Sequence, residues 1–164
     1  MIENTFLIRE IKAKDNAQVE RIIRSCFPEF KIPLEGTAYA DSETPRMFES
    51  YQATNEVYFV IEENGEVVGG AGIKPLKDFE TDVCELQKMY FLTKARGKGY
   101  GKKLFAKCLD AAKKLSYRQC YIESASQLKA AIYIYKSFGF KHLDKPLGNT
   151  GHFSCGVWMI KDLI

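Results

Sequence analysis

The sequence predicts an α/β fold of the α+β kind, with a mixed, mostly antiparallel central sheet of about seven strands flanked by about four helices. Three observations carry that prediction. Asn64-Gly65 joins two runs rich in β-branched and aromatic residues, the signature of a tight hairpin. Strand-like runs come first as a meander and then alternate with helix-like ones. A glycine-rich turn, Arg96 to Gly101, links a long strand-like run to an amphipathic helix.

Phe6 to Ile11 is the first predicted strand. Asp15 with Gln18 three residues on reads as a capping box, and Val19, Ile22, Ile23 and Cys26 recur at helical spacing, so a helix runs to about Cys26, where Pro28 is expected to stop it. Residues 27–45 are irregular. A short second helix is expected over Pro45 to Tyr51, with Thr44 as cap. Glu56 to Glu62 and Glu66 to Ile73 form the hairpin; Gly69, Gly70 and Gly72 in its second arm suggest a bulge or a close backbone neighbour. Asp82 to Leu92 is the next strand. A helix from about Gly99 puts Leu104, Cys108, Ala111, Ala112 and Leu115 on one face and lysines largely on the other. A strand over Arg118 to Glu123, a helix over Gln127 to Phe138 ended by Gly139, and strands over Phe140 to Leu143 and Phe153 to Ile160 complete the chain.

The 164 residues, 46% hydrophobic and 27% charged, are expected to form a single domain over 1–164. A net charge of +3, from 24 basic and 21 acidic residues, is too balanced for a dedicated nucleic-acid binder, although basic residues crowd between Lys94 and Lys114. The five cysteines show no C-x-x-C pair, which argues against a zinc site or a disulfide framework. Most read as small buried hydrophobes, suited to a reducing cytoplasm. Met1 to Asn4 lacks the basic start of a secretory leader, and no apolar run approaches a membrane span, so a cytoplasmic location is expected.

The chemistry concentrates at the glycine turn. Alternate glycines let backbone N–H groups converge on a ligand, and the following helix N-terminus adds partial positive charge, a combination suited to a pyrophosphate. A Walker A loop is excluded because Arg96 stands where its first glycine belongs and Lys103 where its Ser or Thr belongs. A dinucleotide fingerprint fails because its third glycine position falls on Leu104 or Lys102. The pattern that fits is [QR]-x-x-G-x-[GA], met by Arg96, Gly99 and Gly101, followed by a strand and a helix carrying Ala131-x-x-x-Tyr135 and Gly139-Phe140. These segments resemble those of the GNAT family of N-acetyltransferases, and the segment Gly148 to Phe153 is similar to that of small bacterial members. The resemblance spans essentially the whole chain and is sharpest from Glu85 to Phe140.

That resemblance implies acetyl-CoA as cosubstrate and no metal. The strand before the turn would splay at a bulge, and the backbone of Met89, Tyr90 and Phe91 would pair with the pantetheine arm. The amides of Arg96, Gly97, Lys98, Gly99, Tyr100 and Gly101, with Lys102 beside them, would hold the pyrophosphate. Tyr135 matches the family tyrosine that protonates the leaving thiolate, a role its phenol suits; the alternative is a core tyrosine. Glu85 is the candidate base on the strand before the turn, and His152 a second, its imidazole suited to proton transfer near neutral pH; either has a plain reading as a solvated side chain. Leu128 stands where relatives often carry a cofactor-binding Asn, so that contact is not carried over. The reaction implied is direct attack of an amine on the thioester, with N–H groups near Phe91 polarising the carbonyl.

The acceptor, a small-molecule or peptide amine, would lie against Phe27 to Tyr51 and Pro146 to Phe153. Tyr39 and Arg46 are the candidate substrate contacts; Arg46 would pair with a carboxylate. Family members are often dimers, so a homodimer is an expectation. The competing reading is a non-catalytic coenzyme A-binding regulatory module.

Overall fold

A computed structural model describes residues 5–164; the Met1 to Asn4 segment, on which the expectation about a leader rests, lies outside the described residues. Seven strands form one sheet: β1 (Phe6–Glu10), β2 (Val57–Glu63), β3 (Glu66–Pro75), β4 (Val83–Phe91), β5 (Gln119–Ser124), β6 (Lys141–His142) and β7 (Val157–Asp162). Their spatial order is β1-β2-β3-β4-β5-β7-β6. Every neighbouring pair is antiparallel except β4 with β5, which is parallel. The mixed sheet is therefore as expected.

Three α-helices occur among the described residues, α1 (Asn16–Glu29), α2 (Tyr100–Lys114) and α3 (Lys129–Ser137), one fewer than expected. The predicted helix over Pro45 to Tyr51 is instead two 3-10 turns, Thr44–Arg46 and Glu49–Tyr51. Thr44 does not cap it: its hydroxyl is buried and donates to the Ala38 carbonyl at 2.6 Å. Pro28 does not stop α1, because a proline in the last turn forfeits only one hydrogen bond. The helix ends at Glu29, and the chain then passes through Lys31 in the left-handed region (φ 55°). Nor does Gln18 complete a capping box; its amide donates to the Val67 carbonyl at 3.0 Å, tying α1 to the sheet. Asp15 instead accepts from Lys12 N–H at 2.7 Å and pairs with Arg9 at 2.7 Å.

Burial on both faces explains why β2 and β3 are apolar along their length. Val19, Ile22, Ile23 and Phe27 of α1 pack with Tyr58 and Val60 on one face. Leu104, Phe105, Cys108 and Ala112 of α2 pack with Phe59, Ile73 and Tyr135 on the other. No helix among the described residues is long and apolar enough to cross a membrane.

Candidate active site

β4 and β5 pair only from Val83–Gln119 to Glu85–Tyr121 and then part. On its other side β4 carries a bulge, because Gly70 pairs with Tyr90 but Gly72 pairs with Gln87. One β3 residue thus faces two on β4, Lys88 and Met89, and Lys88 takes φ 52°. The Tyr58 hydroxyl donates to the Lys88 carbonyl at 2.8 Å and steadies the bulge. The glycines opposite admit rings rather than backbone: a Cβ on Gly69 would strike Phe91, and one on Gly70 would strike Tyr58, each closer than 3 Å. The parted strands open a groove of about 470 Å³ between Met89–Phe91, the turn from Arg96 to Lys102, and Leu128 to Ile134 at the start of α3.

At one end of this groove, Gly97 and Gly99 take φ 76° and 79° with nothing within 4 Å of where a Cβ would stand. Gly99 is the N-cap of α2 and brings no side-chain cap. Among the described residues no acceptor is bonded to the amides of Gly97 to Lys102, so the turn presents free donors at a helix N-terminus. The Arg96 side chain is not directed at that space. It forks onto Glu29, with Nη2 to Oε2 at 2.9 Å, and donates to the Phe91 carbonyl at 2.8 Å. The Lys98 ammonium pairs with Glu63 at 2.8 Å, and the Tyr100 hydroxyl donates to Glu63 at 2.6 Å. These three side chains brace the turn; Lys102, exposed with its ammonium 5.8 Å from the Tyr133 ring centre, remains at the groove.

Across the gap lies a smaller chamber of about 40 Å³, lined among others by Thr37, Glu85, Lys88, Glu123, Ser124, Tyr135 and His152. Met89, Tyr90 and Leu128 line both spaces, so groove and chamber meet at the bulge. Glu85 is 3% exposed, and burial pushes its carboxyl up to about 7 against a hydrogen bond from Gln87. Burial also raises the Tyr135 phenol, which Ser124 beside it partly offsets. His152 Nε2 is 2.8 Å from Asp41 Oδ2; burial pulls the imidazole down, but Asp41 more than offsets it and the net direction is up. Asp41 also meets Lys88 Nζ at 3.1 Å, and Lys88 reaches Glu43 at 3.4 Å, which holds Lys74 at 2.9 Å. Glu123 accepts from the Tyr121 hydroxyl and the Thr150 hydroxyl, both at 2.6 Å.

The predicted residues thus sort clearly. Glu85, Tyr135 and His152 share the chamber; Met89 to Phe91 and Arg96 to Lys102 line or brace the groove. Tyr39 and Arg46 do not reach either space. Tyr39 packs edge-on against Phe27 under Arg24 on the outer side of α1, and Arg46 is exposed near Glu49. From the same segment Asp41 and Glu43 pair with Lys88, which does line the chamber. Sequence reasoning missed Lys88, which reads as an outward strand lysine until the bulge reverses it, and Glu123, whose only signal is its two-residue spacing from Tyr121. Cys84 and Cys120 are fully buried in the core and line neither space, and burial drives the Cys120 thiol far up, which removes them as nucleophiles.

Residues 16–140 match the profile of the acetyltransferase (GNAT) family. The chain is 40% identical over 158 residues, 96% of its length, to the uncharacterized N-acetyltransferase YjgM of Escherichia coli (strain K12), of which it covers 95%. Its fold superposes with a TM-score of 0.86 on an acetyltransferase of the GNAT family from Staphylococcus aureus Mu50, at 19% identity and covering 98% and 100% of the two chains. It superposes with a TM-score of 0.79 on yncA, a putative acetyltransferase of Salmonella typhimurium solved with its cofactor acetyl-CoA, at 22% identity and covering 98% and 95%.

Proposed function

Because the chain belongs to the GNAT family of acetyltransferases and is an N-acetyltransferase, we propose that it binds acetyl-CoA in the groove and acetylates a primary amine held in the chamber by direct attack. The observation that carries this reading is the meeting of the two spaces at the Met89 bulge, with Glu85 and Tyr135 lining the chamber at that junction.

The groove fits the cosubstrate. Free amides at left-handed Gly97 and Gly99, open space beside them and an uncapped helix N-terminus suit a pyrophosphate. The β5-facing edge of β4 past Glu85 offers backbone to an extended amide-bearing arm. Bound there, acetyl-CoA supplies an acyl thioester. The residues of the chain do the rest. Glu85, raised to about 7 by burial, takes a proton from the incoming ammonium and frees its lone pair. An N–C bond forms as the C–S bond breaks, Tyr135, kept protonated by burial, supplies a proton to the departing sulfur, and the second proton shed by the nitrogen restores the Tyr135 phenol. His152 is held by Asp41 beside Glu85 and steadies its carboxylate form. The narrow chamber fixes the amine near its target, and proximity provides much of the acceleration.

A screen of amines with acetyl-CoA, reading released thiol, tests the proposal. At least one amine is expected to accelerate release. Tight coenzyme A binding in calorimetry without acceleration by any amine would instead identify a non-catalytic coenzyme A-binding module.

A further inference from the structure

Resting on that reading, we infer that the chamber selects primary amines with no carboxylate beside the nitrogen, and that Glu123 and Ser124 are the residues that receive the ammonium. Glu123 is a carboxylate prepared in advance. Tyr121 fixes one oxygen and Thr150 the other, each at 2.6 Å, and Thr150 is itself held by the His152 amide at 3.1 Å. Each carboxylate oxygen keeps a further lone-pair direction for another donor. Ser124 is the next residue, at the end of β5. Its residue is 4% exposed, its Oγ is buried without a hydrogen bond of acceptable geometry among the described residues, and it lines the same chamber. The Tyr135 phenol beside it takes at most one of its hydrogen-bonding directions, and the others are open to a ligand.

A primary ammonium has three N–H donors, and the chamber offers three matching acceptors in Glu85, Glu123 and Ser124. Its volume of about 40 Å³ accommodates an ammonium head and little beyond the first carbon. An α-carboxylate entering with it would meet Glu85 and Glu123. The cations nearby are already engaged: Lys88 by Asp41 and Glu43, and His152 by Asp41. A carboxylate would therefore face like charge without a free partner.

The experiment compares kcat/KM of the enzyme with acetyl-CoA for matched sets: a free amino acid, its carboxamide and its decarboxylated amine. The carboxamide and the amine are expected to exceed the acid by about tenfold or more. Glu123→Gln is expected to raise KM for the amine by about tenfold while kcat falls less than about threefold, because a charged hydrogen bond to the bound ammonium is lost. Ser124→Ala leaves the Glu123 brace intact and should raise KM by about threefold or more, so the inference stands to be judged even if Glu123→Gln unfolds. Acids used as well as their carboxamides, or an unmoved KM in Ser124→Ala, overturn it while the acetyltransferase reading survives. Failure of every amine to release thiol removes both.

Discussion

Nε2 of His152 lies 2.8 Å from Oδ2 of Asp41, a bond that joins two loops 111 residues apart in sequence at the wall of the chamber. Asp41 also holds Lys88 at the β4 bulge, so one carboxylate links the loop after α1, the loop before β7 and the residue that opens the groove.

Asp41→Asn removes the largest influence raising His152 but leaves the burial that lowers it and the weaker pull of Glu85, so the imidazole is expected to titrate lower than in the wild type. In the wild type the folded value is raised. The stabilisation is therefore fully present below the unfolded value and lost as pH rises through the folded one. Imidazole shifts followed by NMR check the direction; an unchanged titration would show that Asp41 does not set it.

Glu85→Gln removes the proposed base. Turnover is expected to fall by about 10² to 10⁴. The wild-type rate should rise with pH through about 7, the range in which Glu85 loses its proton, and that limb should vanish in the variant. Stability moves oppositely. A carboxyl raised from 4.5 to about 7 in the folded state costs stability as pH climbs through that window, to a limit of about 3 kcal/mol. Glu85→Gln should therefore melt higher than the wild type at pH 8 and alike at pH 4. A pH-rate profile and paired melting curves decide it.

Tyr135→Phe is expected to lower kcat by about tenfold or more with KM for acetyl-CoA within about threefold, since the ring packing against Phe105 and Phe140 is kept. Steady-state kinetics measures both, and full activity would strip Tyr135 of the acid role.

Gly99→Glu should abolish acetyl-CoA binding in calorimetry, because a carboxylate would enter the proposed pyrophosphate site at a position that also demands φ 79°. Since nothing stands within 4 Å of the added Cβ, the fold should survive at a cost of about 1–2 kcal/mol of backbone strain. Undiminished affinity in a folded variant would move the pyrophosphate elsewhere.

Arg96→Lys tests the bracing role. Lysine cannot reproduce the fork onto Glu29 together with the bond to Phe91. A loss of about 1–2 kcal/mol in denaturant unfolding is expected, with cofactor affinity falling less than in Gly99→Glu. The reverse order would make Arg96 a direct phosphate ligand.

Strands and the two long helices were legible because their signals are local. Val19 to Phe27 and Leu104 to Ala112 carry helical spacing, and Asn64-Gly65 marks the hairpin. The glycine turn was legible for the same reason, since left-handed φ at Gly97 and Gly99 is written in the residue type. That Tyr39 and Arg46 line neither space was not legible, because nothing local says which way an irregular loop turns its side chains. The segment forms 3-10 turns in which Thr44 and Met47 are buried, and Asp41 and Glu43 before them pair with Lys88.

The sequence by itself determined the sheet's mixed character, the glycine turn that opens α2 and the apolar faces of α1 and α2, because each rests on periodicity or on a few adjacent residues. Only the tertiary structure decided that β4 and β5 part after Glu85, that Lys88 turns inward, and that Glu123, Ser124 and His152 converge on one chamber, with Asp41 behind His152 and Lys88. Those outcomes depend on strand register and loop docking across distant parts of the chain, where burial and hydrogen-bond satisfaction are settled jointly rather than residue by residue.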